Sequence, residues 1–413
     1  MTRPQLLTAR GILPRADSFL GSSGIAGLLV VDGCVGGLFD GHAAIKRAAI
    51  SHGADRIDLG EVLLAPGLVN AHAHLELSAM QGKVAAGQHF FDWVGGVIRE
   101  RARSSPEEMI EGARQGLRRA AETGTTTVGD IASSEATLAA LASSGRSDSY
   151  PRVRLFREAL DAWDISRTPG AAAVFREPLL ESDALFEGYS PHAPYTVSSQ
   201  LFHLIAEQQR RRPRQLSMHW AEMEEELLWL ESGTGPLAQV LGESPRRSGL
   251  DLLEEAGLLG PQMALVHGNL PSSGEVERIA EAGATVVHCP GTHRFFERPE
   301  FPLEEYLLKG VPLALGTDSL ASNDDLDLVR EARLLWARYP LLSPERLFEM
   351  MTTNAAQALG LDGRVGALRL GAFADYNIWE VVGGWPSPVV ARSTLEALLG
   401  GGLQLVSEPG QAH

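Results

Sequence analysis

Cysteine is scarce in this 413-residue chain. Cys34 and Cys289 are the two it has, far apart and outside any CxxC or metal-knuckle pattern. That suits a reducing cytoplasm. Long apolar runs are missing as well; none approaches the roughly 20 residues a membrane span needs. The opening MTRPQLLTARGILPRADSF has Arg interrupting a short apolar stretch and no small-residue cleavage site, so no signal peptide is expected. Cations are outnumbered, with 36 Lys and Arg against 52 Asp and Glu, a formal net charge of −16. That balance excludes the basic footprint of a nucleic-acid binder. The densest basic stretch, EQQRRRPRQ from Glu207 to Gln215, falls at a helix end, where cations complement the dipole. Solenoid-period repeats and low-complexity segments are also lacking.

What remains is ordinary globular composition, 44% apolar and 21% charged. The length fits one large barrel plus a small accessory domain. Up to about residue 65 the chain reads as short strands and turns, including GLLVVDG, AAIKRAAISHG and ADRIDLGEVLLAPG. From Leu68 onward eight apolar runs follow: GLVNAHAH, TTTVGDI, RVRLFREAL, FEGYSPHAP, QLSMHWAE, MALVHGNL, ATVVHCP and PLALGTDS. Amphipathic segments of helix length lie between them. SPEEMIEGARQGLRRAAETG shows Ser105 as N-cap, Pro106 at the first helical position, Glu108 to complete a capping box and Gly124 as the stop. SPERLFEMMTTNAAQALG, after the last run, reads as a further helix. Eight alternations of buried strand and helix predict an α/β fold, a (β/α)8 TIM-type barrel over residues 66–369. Residues 1–65 and 370–413 return to short strands and predict one small β-sandwich domain built from both chain ends.

Barrel active sites lie at the C-terminal ends of the strands. Here those ends carry His72 and His74, His192, His219 with Glu222, His267, His288 and Asp318. His72 and His74 are two residues apart on a strand, so they share a face and form a clamp for a metal. His219 and Asp318 reach the same axis from other strands. Three nitrogens and one carboxylate with an open position make a catalytic divalent-metal site. The set suits Zn²⁺ best, with Fe²⁺ and Mn²⁺ left open. Glu222, three residues beyond a ligand, is placed for proton transfer. His42, His52, His89, His203, His293 and His413 follow no strand-end pattern and are read as structural.

The motifs PGLVNAHAHLE, SPHAPYT, HWAE, VHGNL, HCPGTHRFF and LGTDSLASNDDLDL resemble the successive motifs of the amidohydrolase superfamily. Within it they are similar to the branch that deaminates adenosine-like and guanine-like rings. HLELSA, followed closely by FFDWV, is most similar to the aminodeoxyfutalosine deaminases of the menaquinone route. HCPGTHRFF departs from the Asn-containing motif usual in nucleoside deaminases. The resemblance implies one metal per chain on His72, His74, His219 and Asp318. No Lys lies on strand four, where two-metal members carry a bridging one. Glu222 would carry a proton from water to the ring nitrogen, His267 would orient the attacking water, and His192 would contact the substrate. A homodimer is the family expectation.

The implied reaction is hydrolytic deamination of a small nucleoside-like substrate bearing an adenine ring. Metal-activated hydroxide attacks the amino-bearing carbon, Asp318 takes the water proton, and ammonia leaves. Glu76 or Asp92 is a candidate for ribose hydroxyls, Trp93 for an apolar contact, and Arg157 or Arg294 for a benzoate carboxylate. The alternatives share the metal site. They are deaminases of adenosylhomocysteine, methylthioadenosine or guanine, and chlorohydrolases of triazines. A non-catalytic metal-binding scaffold is the reading from another class.

Overall fold

Strands buried on both faces are rich in apolar residues, and the eight runs follow this with exceptions such as Thr127, Asp130 and Arg154. The computed structural model describes residues 3–85, 90–143, 150–176, 178, 181–386, 389–406 and 410–411. His89, His413 and parts of the tail assigned to the small domain lie outside these. The barrel strands are β1 (Leu68–Ala73), β2 (Thr125–Ala132), β3 (Arg152–Ala159), β4 (Leu185–Pro191), β5 (Gln215–Trp220), β6 (Met263–His267), β7 (Thr285–His288) and β8 (Leu313–Leu315). Each pairs in parallel with the next in sequence. A parallel bridge between Ala73 and Asp318 joins the two ends of the sheet.

One helix closes the floor of the barrel. Thr353–Ala358 packs its Ala355 with Val69, Phe156, Val266 and Val287 in a single buried cluster. The carbonyls at its end accept from side chains near the start of two strands, Gln215 (2.7 Å to Ala358) and Arg154 (3.0 Å to Leu359). The other end of the barrel is left for the site.

The helix over Pro106–Glu122 has the expected capping box: the Glu108 amide donates to Ser105 Oγ (3.2 Å) and the Ser105 amide to Glu108 Oε2 (2.8 Å). Two further sheets lie outside the barrel, the first from N-terminal strands and the second from both chain ends. One runs in the order Cys34–Asp40, Ala26–Val31, Gln5–Ala9, Asp55–Asp58. The other runs Leu403–Leu405, Asp375–Val381, Val62–Pro66, Gly11–Arg15, Ser18–Leu20. Ile12, Leu28, Val30 and Leu64 of the two sheets share one core.

Three expectations need correction. AAIKRAAISHG is not a strand but part of the helix His42–His52, which buries Ile45 and Ala48 and ends on Gly53 in the left-handed conformation. The tail contains a helix, Ala391–Gly400, as well as strands. SPERLFEMMTTNAAQALG is two helices, Pro344–Met350 and Thr353–Ala358, because Thr352 (φ −136°, ψ −92°) leaves the helical region between them.

Candidate metal and proton-transfer centre

The site is made where strands end abruptly. Asp318, His267 and Ala221 adopt φ of 56°, 75° and 48°, a left-handed backbone that costs energy for residues with a Cβ. Hydrogen bonds hold it in place: the Thr317 and Asp318 amides donate to the His72 carbonyl at 3.0 and 3.1 Å. Asn70 braces the same junction, giving its Nδ2 to Thr317 Oγ1 (2.7 Å) while its Oδ1 accepts from the His72 and Thr317 amides. Gly316 permits this close approach; a Cβ there would lie 2.8 Å from His72 Cβ.

The strand ends bring four expected residues together. His74 Nε2 lies 3.2 Å from His219 Nε2. Asp318 Oδ1 lies 3.8 Å from His72 Nε2 and 3.6 Å from His74 Nε2. Two groups of three ligand atoms, His72–His74–His219 and His72–His267–Asp318, each fall within 4.8 Å of one another. Both ring nitrogens of His72 are buried without a hydrogen-bond partner. Buried polar groups are normally satisfied, and a bound cation would satisfy these nitrogens. Burial holds His74 and His192 down at about 4 and His219 at about 3, and keeps His72 and His267 well below the usual imidazole range. The imidazoles are therefore neutral at pH 7, with lone pairs free to ligate. Burial also raises Asp318, and a cation between these residues would hold it ionised. The residues fit a divalent metal. Neutral nitrogens with one carboxylate are the donor set for zinc-class ions.

Proton-handling groups stand beside the cluster. Glu222 Oε2 lies 3.6 Å from His267 Nε2, and burial pushes the carboxyl up to about 8. Its loop is fixed by Glu226, whose carboxylate accepts from the Ala221 (3.1 Å) and Glu222 (3.0 Å) amides. Asn269 donates to the Glu222 carbonyl (3.1 Å). On the other side His192 Nδ1 meets Thr196 Oγ1 at 2.7 Å, and its Nε2 lies 3.9 Å from Glu158.

The substrate-contact candidates fare unevenly. Glu76 is buried and engaged by Arg101 (2.9 Å) and by the Ser134 hydroxyl. Asp92 is exposed in the first turn of the helix Phe90–Arg103. Trp93 donates to the Ala321 carbonyl (3.1 Å) and packs edge-on against Phe296, with centroids 5.1 Å apart. Arg157 is not brought to the site. Its neighbour Glu158 takes the inward position on β3, so strand alternation turns Arg157 outward, where it meets the Val174 carbonyl and Glu187. Arg294 is exposed and paired with Asp324 (2.8 Å).

Sequence reading missed Glu158, Glu226, Asn269 and Arg298. Strand parity would have found Glu158. His293, read as structural, lies closer to the site than expected: it meets Asn269 Oδ1 (3.1 Å) and stacks edge-on against His288. Arg298 reaches Glu222 Oε1 at 3.8 Å from the loop after β7.

The amidohydrolase family model matches residues 63–396. The 5-methylthioadenosine/S-adenosylhomocysteine deaminase of Pyrococcus abyssi is 28% identical over 354 residues, 82% of this chain and 78% of that protein. The aminodeoxyfutalosine deaminase of Deinococcus radiodurans is 29% identical over 360 residues, 83% of each. The crystal structure of Helicobacter pylori aminofutalosine deaminase, in complex with methylthio-coformycin, superposes with a TM-score of 0.81 at 20% identity. It covers 98% of this chain and all of that one, and it shares the fold.

Proposed function

The chain belongs to the amidohydrolase family, and on that premise we propose that it is a metal-dependent aminohydrolase that removes the exocyclic amino group of an adenine nucleoside. One observation carries the reading. A cluster of buried imidazoles and one carboxylate, in which His72 has neither ring nitrogen partnered, faces Glu222, a carboxyl that burial pushes up to about 8. Hydrolysis of an amino-substituted ring needs both, because water must be activated at one point while a ring nitrogen is protonated at another.

His72, His74, His219 and Asp318 would hold one divalent ion, zinc by donor type. The ion, when bound, supplies the Lewis acidity that makes water a nucleophile near pH 7. The remaining chemistry belongs to the chain. Glu222, protonated because it is buried, donates its proton to the ring nitrogen beside the carbon under attack. His267, neutral and 3.6 Å from Glu222, orients the attacking water and supports the charge that develops on it. Asp318 accepts the proton that the water loses and returns it to the departing amine, and the new hydroxyl gives its remaining proton back to Glu222 as the carbonyl forms. His192, with Nδ1 fixed by Thr196, offers Nε2 to the substrate.

Aminodeoxyfutalosine is the substrate we favour, supported by the Deinococcus relative and by the HLELS stretch. A second reading, deamination of methylthioadenosine or adenosylhomocysteine, is favoured by the Pyrococcus relative. Among the described residues no helix is long and apolar enough to cross a membrane. The test is ammonia release by zinc-loaded protein from aminodeoxyfutalosine, methylthioadenosine, adenosylhomocysteine, adenosine and guanine. Preference for aminodeoxyfutalosine supports the first reading and preference for the thio-nucleosides the second. Silence on every adenine nucleoside refutes both.

A further inference from the structure

The two oxygens of Glu222 have unlike neighbours. Oε2 lies 3.6 Å from His267 Nε2, and Oε1 lies 3.8 Å from Arg298 Nη2. The second pair is nearly enclosed, with side chains 7% exposed for Glu222 and 12% for Arg298. Arg298 Nε and Nη2 are buried without a hydrogen-bond partner. The guanidinium lies over two rings, 5.2 Å from Phe90 and 5.0 Å from Phe296, which hold its plane. Among the described residues Glu222 is the carboxyl within ion-pair distance of it. The other ionisable groups around Glu222 are neutral His267, Asp318, Glu226 and Tyr195, and none of them is a cation.

A guanidinium only donates hydrogen bonds, whereas a neutral imidazole also carries an acceptor nitrogen. A proton on Oε1 would point at N–H groups; a proton on Oε2 meets no such conflict. The 3.8 Å separation is longer than a hydrogen bond, as suits a neutral carboxyl. An ionised one would be drawn onto the guanidinium, because charge-assisted bonds are shorter and stronger. Burial alone would make a poor proton donor. It pushes Glu222 up to about 8; Arg298 opposes that rise, while Asp318 and Glu226 add to it. Without a cation beside it, so buried an acid would hold its proton more tightly. We propose that Arg298 is a positioning residue for Glu222: it confines the transferable proton to Oε2 and receives Oε1 once that proton has passed to the ring. The inference rests on the deaminase reading and assigns a residue within it. When the new hydroxyl gives its proton back to Oε2, the contact relaxes and the starting state returns.

The experiment is the pH dependence of kcat and KM for zinc-loaded full-length protein and its Arg298→Met, Arg298→Gln and Arg298→Lys variants. Aminodeoxyfutalosine and methylthioadenosine are the substrates, and circular dichroism and zinc content confirm that each variant is folded and loaded. Two neutral variants are made so that failure of one to fold leaves the other. Each should lower kcat about 10- to 100-fold on both substrates, with KM little changed. In each, the alkaline limb of kcat should move to higher pH by about one unit, because the cation that eases proton loss is gone. Arg298→Lys, which keeps the charge without the planar donors, should leave the limb near its wild-type position and recover part of kcat. On a Glu222→Gln background Arg298→Met should cost less than about 3-fold further, since a positioning residue has nothing left to position. Three results would each overturn the proposal: a limb that stays put or moves down in both neutral variants, a loss confined to KM, or the full loss repeated on the Glu222→Gln background. Wild-type silence on every adenine nucleoside would instead remove the deaminase reading, and this inference with it.

Discussion

The two ends of the barrel treat charge in opposite ways. At the floor, charged groups are locked in direct contact. Arg152 meets both oxygens of Asp375 at 2.7 and 2.9 Å, and buried Arg154 donates to the Leu359 and Glu187 carbonyls at 3.0 and 2.5 Å. At the mouth the pairs around the imidazole cluster stand apart: His74–Asp318 at 3.6 Å, His267–Glu222 at 3.6 Å, Arg298–Glu222 at 3.8 Å and His192–Glu158 at 3.9 Å. Short contacts finish a structure, whereas gaps between buried polar groups are spaces for something else. The fold places both on the same eight strands, within one strand length of each other.

Breaking each end should therefore have different consequences. The largest effect is expected at the mouth: Asp318→Asn should lower turnover by about a thousandfold or more, since it removes both a ligand and a proton acceptor. Glu222→Gln should retain metal and lose about 100- to 10,000-fold in kcat. Normal turnover in that variant would sink the proton-donor role. Arg152→Met at the floor should do the reverse. It leaves buried Asp375 unpaired and should cost about 3 kcal/mol of stability in denaturant titration, with turnover per folded molecule unchanged. The smallest effect is one of pH. Glu222 is pushed up to about 8, so raising pH through that value empties the proton-donor form, and kcat should fall on the alkaline side. The same limb should vanish in Glu222→Gln.

Much of the mouth was legible because barrel strands are short apolar runs and their titratable ends stand out. His72, His74, His219, Asp318, Glu222 and His267 all lie where the motif spacing puts them. What stayed hidden depended on tertiary context. Arg157 and Glu158 are adjacent in RVRLFREAL, and only the inward phase of β3 decides between them. Arg298 lies in an irregular loop with no period, and its approach to Glu222 is a three-dimensional fact. The helix His42–His52 buries just two residues, too few to write a clear helical period, and the β-branched Ile45 and Ile50 suggest a strand instead. Thr352 breaks a pattern that composition alone makes continuous.

The measurement that tests the central claim most directly is metal content by elemental analysis. Wild type, His72→Ala and Arg152→Met would each be loaded with zinc, desalted and checked for fold. One ion per chain in wild type and Arg152→Met, with none retained by His72→Ala, is the predicted result. No bound metal in wild type, or full retention in His72→Ala, would contradict the assignment of the mouth as a metal centre.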